Sequence, residues 1–431
     1  MAKILAGVRA IPVQIRFGCE VLWRWAFRRN RYRLLLLSFA RGGFLRTLQL
    51  LWRLKLTKII AVGNRFHFSL VEPGWPSTAY DHYMAKGGLN LDAAGTSWKK
   101  QIDLAILAVT RRCPYRCLHC YEIQNLAETD TVPLEHWTKL IAELQQVGVG
   151  VIVLSGGEPM ARFEDLVLML RSGNKSLSDF HIHTTGHGVT AEKVRALKEA
   201  GLVAAGVGLD DFDRRRQAEF RKSENAFDAA LKAIHLFSEA GLFTYVNMCL
   251  TRPMMTRENL RKFYYFISEQ GASALQLLEP IPCGAYAGAK KEALCSAADR
   301  STVTEFFLDT YRGQWKTAPA VYYNAYLEAP RHLGCRMGGL SHLQIDGLGN
   351  VKPCAFLPVS FGNAFKESFT SIYAKMRQAI QHPLHTECPA MQMTGLIQSM
   401  SARGFDIPVA YDEVATDWQS VLKSGELATK Q

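Results

Sequence analysis

Between residues 104 and 279, short apolar runs alternate with amphipathic stretches, and this alternation restricts the fold more than any other feature of the chain. The runs at 104–110, 150–155, 180–185, 203–209, 243–250 and 274–279 are six to eight residues long, the length expected of buried strands. The stretches between them, 133–147, 162–172, 190–200, 224–240 and 256–270, carry apolar residues at helical spacing. Pro133 opens the first helix. Gly148, Gly201, Gly241 and Gly271 follow four of the five, where a helix end favours a residue that tolerates positive φ. Strand and helix in such succession predict an α/β fold with a parallel sheet and right-handed crossovers. In barrels of this kind, chemistry gathers at the C-terminal ends of the strands.

The first strand runs straight into Thr-Arg-Arg-Cys-Pro-Tyr-Arg-Cys-Leu-His-Cys-Tyr, which spaces Cys113, Cys117 and Cys120 as CxxxCxxC. Three thiolates on one loop can hold three irons of a cubic cluster and leave the fourth iron open for chemistry, as an open position does in catalytic zinc sites. A structural zinc knuckle is the bland alternative. It needs four closed ligands, and the chain has no second CxxC to provide them. The second strand runs into Ser155-Gly156-Gly157-Glu158-Pro159. Two glycines let backbone press against a ligand, and Glu158 offers a carboxylate to an ammonium group.

With both motifs in place, the sequence resembles the radical S-adenosylmethionine (radical SAM) superfamily from about Leu104 to Cys388. The resemblance implies a partial (β/α)6 TIM-like barrel and a 4Fe–4S cluster on Cys113, Cys117 and Cys120. S-adenosylmethionine would chelate the open iron, with its amino group held by Gly156, Gly157, Glu158 and Pro159. It further implies contacts to the nucleoside from Tyr121, from Thr185 at the end of the third strand and from Gly208 at the end of the fourth. Relatives often carry serine at the last of these, and glycine departs from that pattern. Arg221 stands about where relatives place an arginine that pairs with the methionine carboxylate, although Arg214, Arg215 and Arg216 nearby make a solvated helix arginine the competing reading. Glu279 ends the sixth strand and Cys283 follows it; both should face the cavity mouth, Cys283 as hydrogen-atom donor, metal ligand or buried free thiol.

Beyond residue 330 the pattern changes. Cys335 precedes a β-hairpin around Asp346-Gly347-Leu348-Gly349-Asn350, and Cys354 closes it. A helix at about 369–380 leads to Cys388. This resembles the small "twitch" half of the SPASM extension, and implies an auxiliary 4Fe–4S cluster on Cys335, Cys354 and Cys388. The expected closing CxxC reads Cys388-Pro389-Ala390-Met391, so the fourth ligand is Met391, another residue or none.

Charge is the remaining signal. Residues 1–58 hold thirteen Lys and Arg against one acid, Glu20, while the whole chain sums to +12, so the imbalance lies entirely in this arm. The arm is also aromatic and Leu-rich, with the run Leu34-Leu35-Leu36-Leu37. No stretch reaches the ~18 uncharged apolar residues needed to span a bilayer. Basic, aromatic, helix-compatible sequence suits an anionic membrane surface. Plain packing against the barrel, a grip on nucleic acid and a targeting segment are the other readings. The divisions expected are a basic helical arm at 1–58, a loop-rich connector at 59–100, the partial barrel at 101–325, an auxiliary-cluster domain at 326–395 and a tail at 396–431. Cysteine content argues for a reducing compartment, so a cytoplasmic protein, peripheral on the membrane, is expected.

The function implied is reductive cleavage of S-adenosylmethionine, followed by hydrogen abstraction from an unactivated carbon. Flavodoxin or ferredoxin is the expected class of reductant. A membrane lipid or isoprenoid is the first substrate expectation, because the arm points to a surface and residues 1–100 do not read as a winged-helix leader-binding module. Maturation of a ribosomal peptide is the alternative, and a non-catalytic electron-transfer protein the third reading.

Overall fold

The structure is a computed structural model, and it describes residues 2–27, 58–86, 88, 102–289, 293–311 and 318–428. Its centre is one nine-stranded sheet. Six parallel strands run in sequence order: β4 (Leu104–Thr110), β5 (Val151–Gly156), β6 (Asp179–Thr184), β7 (Leu202–Gly208), β8 (Phe243–Cys249) and β9 (Ala274–Leu278). They match the six apolar runs within a residue or two. Helices Leu134–Val147, Phe163–Ser172, Ala191–Glu199, Ala226–Glu239 and Arg257–Glu269 cover one face, and the large apolar core lies between them and the sheet. Gly148 ends the first of these in the left-handed region, φ 101°, as its position after the helix required. The result is the α/β, partial TIM-like barrel expected.

Both edges carry strands that periodicity did not reveal as part of this sheet. β10 (Ala320–Tyr323) adds in parallel to β9. On the opposite edge β11 (His342–Ile345) pairs in parallel with β4, and β12 (Val351–Lys352) pairs antiparallel with β11. The hairpin expected inside a separate C-terminal domain is therefore an extension of the barrel sheet, and it brings Cys354 alongside the first cysteine loop. Helix Arg214–Arg221 also escaped pattern reading, since Arg-Arg-Arg-Gln-Ala-Glu-Phe-Arg has no apolar stripe; Asp213 caps it by accepting from Arg216 N.

The stretch read as a loop-rich connector holds ordered structure. β2 (Ile59–Val62) pairs antiparallel with β1 (Lys3–Leu5) and β3 (Arg65–His67), and Ser77 caps helix Thr78–Ala85. This unit seats on the N-terminal end of the barrel. Arg65 and the Gly74 amide bind the Asp179 carboxylate at the start of β6, both at 2.9 Å. Tyr83 donates to Asp103, just before β4, at 2.9 Å. Ile60 and Leu70 pack among Ala204, Phe243, Ala274 and Ala320, near the starts of four strands. From the basic arm, helix Ile11–Phe27 lies on the same unit, with Phe17 edge-on to Trp75 at 5.2 Å and Arg16 over the Trp75 ring. Residues 28–57, with the Leu34–Leu37 run, lie outside the described residues. Among the described residues no helix is long and apolar enough to cross a membrane.

The stretch expected as a tail packs against the hairpin layer. β13 (Val359–Ser360) pairs in parallel with β14 (Val409–Ala410), and Trp418 of helix Tyr411–Ala428 is fully buried against Phe361 and Tyr411.

Candidate functional site

β4 ends at Thr110 and the cysteine loop begins at once. Asp130 fixes its root, accepting from Thr110 Oγ1 at 2.9 Å, Arg111 N at 2.7 Å and Arg112 Nε at 2.9 Å. Cys113, Cys117 and Cys120 then gather around Tyr115 and Ala226. Backbone N–H groups aim at the sulfurs: Tyr115 donates to Cys113 and Glu122 to Cys120. Burial pushes the Cys113 thiol up to about 11 and the Cys120 thiol up to about 12. Burial raises Cys117 as well, against the pull of the Arg221 guanidinium, which donates to its sulfur. Burial thus favours the neutral thiols, and a cation in the proton's place would offset that cost, as it does for metal-ligating cysteine.

The Gly-Gly-Glu-Pro turn locks onto this loop. Gly157 N donates to Thr110 O at 2.8 Å and Glu158 N to Arg112 O at 2.7 Å. A Cβ on Gly156 would stand 2.4 Å from Thr110 O, and one on Gly157 2.3 Å from Arg112 O. The glycines thus let the turn approach the backbone of the cysteine loop. The Glu158 carboxylate, read from the sequence as a partner for an ammonium, is engaged by groups of the fold itself. It is fully buried and takes four donors: Thr184 Oγ1 at 2.7 Å and Met160 N at 3.0 Å on Oε1, and Thr185 N at 2.7 Å and Thr185 Oγ1 at 2.6 Å on Oε2. A carboxylate has about four acceptor sites, so its capacity is filled. Glu158 clamps the ends of β5 and β6 together; Pro159 continues the turn into a 3-10 segment.

Arg221 is 7% exposed and its Nε donates to Asp210 at 2.6 Å. Asp210 also accepts from Cys249 N at 2.9 Å. The two Nη groups of Arg221 lie under Gly208, where a Cβ would be 2.8 Å from Nη2 and 2.9 Å from Nη1. The solvated-helix reading of Arg221 is excluded, and Gly208 gains a reason: the space a serine would use is taken by the guanidinium. His119, unassigned from sequence, stacks on Phe220 with centroids 4.6 Å apart and is held neutral by burial, down to about 4. Its Nδ1 is buried without a hydrogen-bond partner.

At the far side of the barrel mouth, Glu279 is already engaged: Arg300 Nε binds Oε2 at 2.9 Å and Tyr323 donates to Oε1 at 2.6 Å. A catalytic proton carrier there would first have to break this network. Cys283 is buried and lines a cavity of about 330 Å³ with Tyr121, Lys352, Phe356 and Ile397. Tyr121 stands edge-on to Phe356 at 5.8 Å, so it faces this cavity.

Cys335, Cys354 and Cys388 converge beyond the hairpin. Cys335 and Leu384 exchange backbone hydrogen bonds of 2.8 and 2.9 Å, which brings the residue-335 loop beside the chain leading to Cys388. The amide pattern of the first set recurs. Met337 N donates to Cys335, Phe356 N to Cys354, and Ala390 and Met391 N to Cys388. Amide donors on a buried sulfur favour its thiolate and tune a bound cluster. Among the described residues no three His, Cys, Asp or Glu side chains converge on a single ion.

Both thiol sets fit iron–sulfur clusters in the chemistry of their donors, and the first set also in its position at the end of β4. Residues 107–267 match the family described as the radical SAM superfamily. The chain is similar to the AdoMet-dependent heme synthase of Methanosarcina barkeri, 26% identical over 62% of this chain and 80% of that protein. It is also similar to the PqqA peptide cyclase of Streptomyces rochei, 25% identical over 63% of this chain and 75% of that protein. Among solved structures, Streptococcus suis SuiB bound to its precursor peptide SuiA shares the fold, with a TM-score of 0.53 at 19% identity over 63% of this chain and 64% of that one. A sheet that sets a CxxxCxxC loop beside a Gly-Gly-Glu-Pro turn, both inside the matched segment, makes residues 107–267 a radical SAM domain, of the superfamily that works with a 4Fe–4S cluster and S-adenosylmethionine.

Proposed function

We propose that this enzyme abstracts a hydrogen atom from a segment of a peptide held in the cavity between the cysteine loop and the C-terminal layer. When bound, the cluster and S-adenosylmethionine supply the electron and the 5′-deoxyadenosyl radical for that abstraction. Cys113, Cys117 and Cys120 would hold the first cluster. Gly156, Gly157 and Thr185 shape the nucleoside's cradle, Glu158 braces it, and Arg221 offers its Nη groups to a carboxylate. An auxiliary cluster on Cys335, Cys354 and Cys388 would carry an electron. Arg112 and Lys193, against the single acid Glu128, line a groove of about 360 Å³ beside Cys113, a net cationic approach for an acidic reductant such as flavodoxin or ferredoxin.

The observation that carries the peptide reading is the lining of the 330 Å³ cavity. Apart from thiol and phenol groups its one ionisable residue is Lys352, which already pairs with Glu122 at 3.2 Å. The remaining walls are apolar side chains with the amides and hydroxyls of Gln124, Asn125, Thr394, Gln398 and Ser401. Such walls suit a neutral chain with amide groups and give a polycarboxylate no free cation. A membrane lipid is the second reading, favoured by Ile11 and Ile15, exposed one turn apart on the arm helix (44% and 59%). That helix sits at the barrel end opposite the cysteine loop, so an anchored arm would point the cavity away from the surface.

The test has two parts. Anaerobically reconstituted protein with dithionite should form 5′-deoxyadenosine, and the variant with all three loop cysteines changed to alanine should not. Peptide and lipid extracts of a deletion strain and its parent are then compared by mass spectrometry. A modified peptide found only in the parent supports the reading, while a change confined to lipids overturns it in favour of the second.

A further inference from the structure

The auxiliary thiol set is one ligand short, and the loop after β9 sets a further thiol, Cys283, on a cavity wall shared with the neighbours of two of its members. Cys335, Cys354 and Cys388 all feel one another's charge deep in the protein. The position three beyond Cys388 is Met391, a neutral thioether and a weak ligand for iron. Cys283 comes from the loop after β9, more than fifty residues before Cys335. It is 9% exposed and shares the cavity wall with Ala355 and Ala390, neighbours of Cys354 and Cys388. It also lies within electrostatic reach of both of those sulfurs. Its loop is pinned: Ala285 N donates to Cys120 O at 2.9 Å, and Gly284, at φ 55°, sits so close that a Cβ would be 2.3 Å from the same carbonyl. Glu328 is likewise within reach of the three sulfurs, but a carboxylate is a harder ligand than the thiolates that iron–sulfur clusters select.

We propose that Cys283 is the fourth ligand of the auxiliary 4Fe–4S cluster, in place of the second cysteine of a C-terminal CxxC. The inference rests on the auxiliary-cluster reading above. Ligation releases the thiol proton to solvent and moves no electron. It leaves no vacant iron in that cluster, which makes the cluster an electron carrier and not a docking point for substrate. It also ties the barrel loop after β9 to the C-terminal layer, closing one wall of the cavity around metal.

The experiment uses the full chain with Cys113, Cys117 and Cys120 changed to alanine, so that any cluster present is the auxiliary one. Reconstituted under anaerobic conditions, this protein should hold about four irons per chain. Adding Cys283→Ala should lower that to about three, with the EPR signal of an oxidised three-iron cluster, or to none. Adding Cys283→Ser, which keeps an oxygen ligand, should retain about four irons with an altered spectrum. Met391→Ala and Glu328→Gln should leave iron and spectrum unchanged. Far-UV circular dichroism shows whether each variant folds, and the serine variant decides the matter if the alanine one does not. Unchanged iron and spectrum in both Cys283 variants would overturn the assignment, as would iron loss in Met391→Ala or Glu328→Gln alone. No iron in the triple-alanine background would remove the auxiliary cluster itself, a result separable from failure of the Cys283 ligand.

Discussion

Lys352 and Glu122 form a buried ion pair, Nζ to Oε1 3.2 Å, with each side chain only 4% exposed. Glu122 stands two residues after Cys120 and Lys352 two residues before Cys354, so the pair joins the loops that carry the two thiol sets. Asn125 Nδ2 at 2.8 Å and Gln344 Nε2 at 2.7 Å add a second and a third donor to Glu122. The contact sets the spacing of the two loops and forms part of the cavity floor.

Removing one partner strands the other charge in a site that water does not reach. Glu122→Gln should therefore cost about 3–5 kcal/mol in denaturant unfolding, while the double variant with Lys352→Met should recover most of that loss. Equal losses in single and double variants would show that the pair is not the stabilising unit.

The contact between Gly208 and the Arg221 guanidinium makes a second expectation. Gly208→Ala places a methyl 2.8 Å from Nη2, and overpacking of this kind costs about 1–3 kcal/mol. Relief by moving Arg221 would draw it off Asp210 and Cys117. S-adenosylmethionine affinity, measured by equilibrium dialysis on anaerobically reconstituted protein, should fall roughly tenfold for each 1.4 kcal/mol expressed at the site. Parent-like affinity together with parent-like stability would mean that the guanidinium has room to spare.

The β/α alternation and the cysteine spacing were legible because each is written in neighbouring residues: periodicity for the strands, glycine after the helices, thiols within eight positions. What escaped was set by partners far along the chain. β11 reads as an isolated hairpin strand, and nothing local says that Leu343 will pair in register with Ala105. Glu158 reads as a free carboxylate until Thr184 and Thr185 arrive from β6 to fill it. The connector 59–100 is rich in Pro and Gly, which hid two short strands whose stability comes from docking on Asp179 and Phe243 rather than from their own sequence. The lipid expectation drew on the charge of the arm, and charge carries no information about which end of the barrel an arm is rooted to.

Glu72 gives the enzyme a pH dependence. It is fully buried near the like charge of Asp103, and burial first and Asp103 second push its carboxyl up to about 7. The folded protein thus holds this proton where the unfolded chain, with its ordinary value of 4.5, has lost it. Stability from this group is complete below pH 4.5 and is lost as pH rises through about 7. The span corresponds to roughly 3 kcal/mol at most. Glu72→Gln should flatten the unfolding free energy between pH 5 and pH 8, and an unaltered slope in that variant would place the titration elsewhere.

Trp418 tests whether the C-terminal helix belongs to the cluster layer. Its indole is fully buried, edge-on to Phe361 at 5.8 Å and to Tyr411 at 5.8 Å, while Phe361 stacks on Tyr411 at 4.3 Å. Phe361 N donates to Val351 O at 2.9 Å, next to Lys352 and three residues before Cys354. Trp418→Ala should cost about 3–5 kcal/mol, since the cavity opens under aromatic rings that cannot collapse into it. Because those rings support the β12 edge, the loss should appear first as release of auxiliary iron, with the first cluster retained. Iron content during a urea titration reads this order. Release of both clusters in one step, at the global unfolding midpoint, would show instead that the helix stabilises the barrel as a whole.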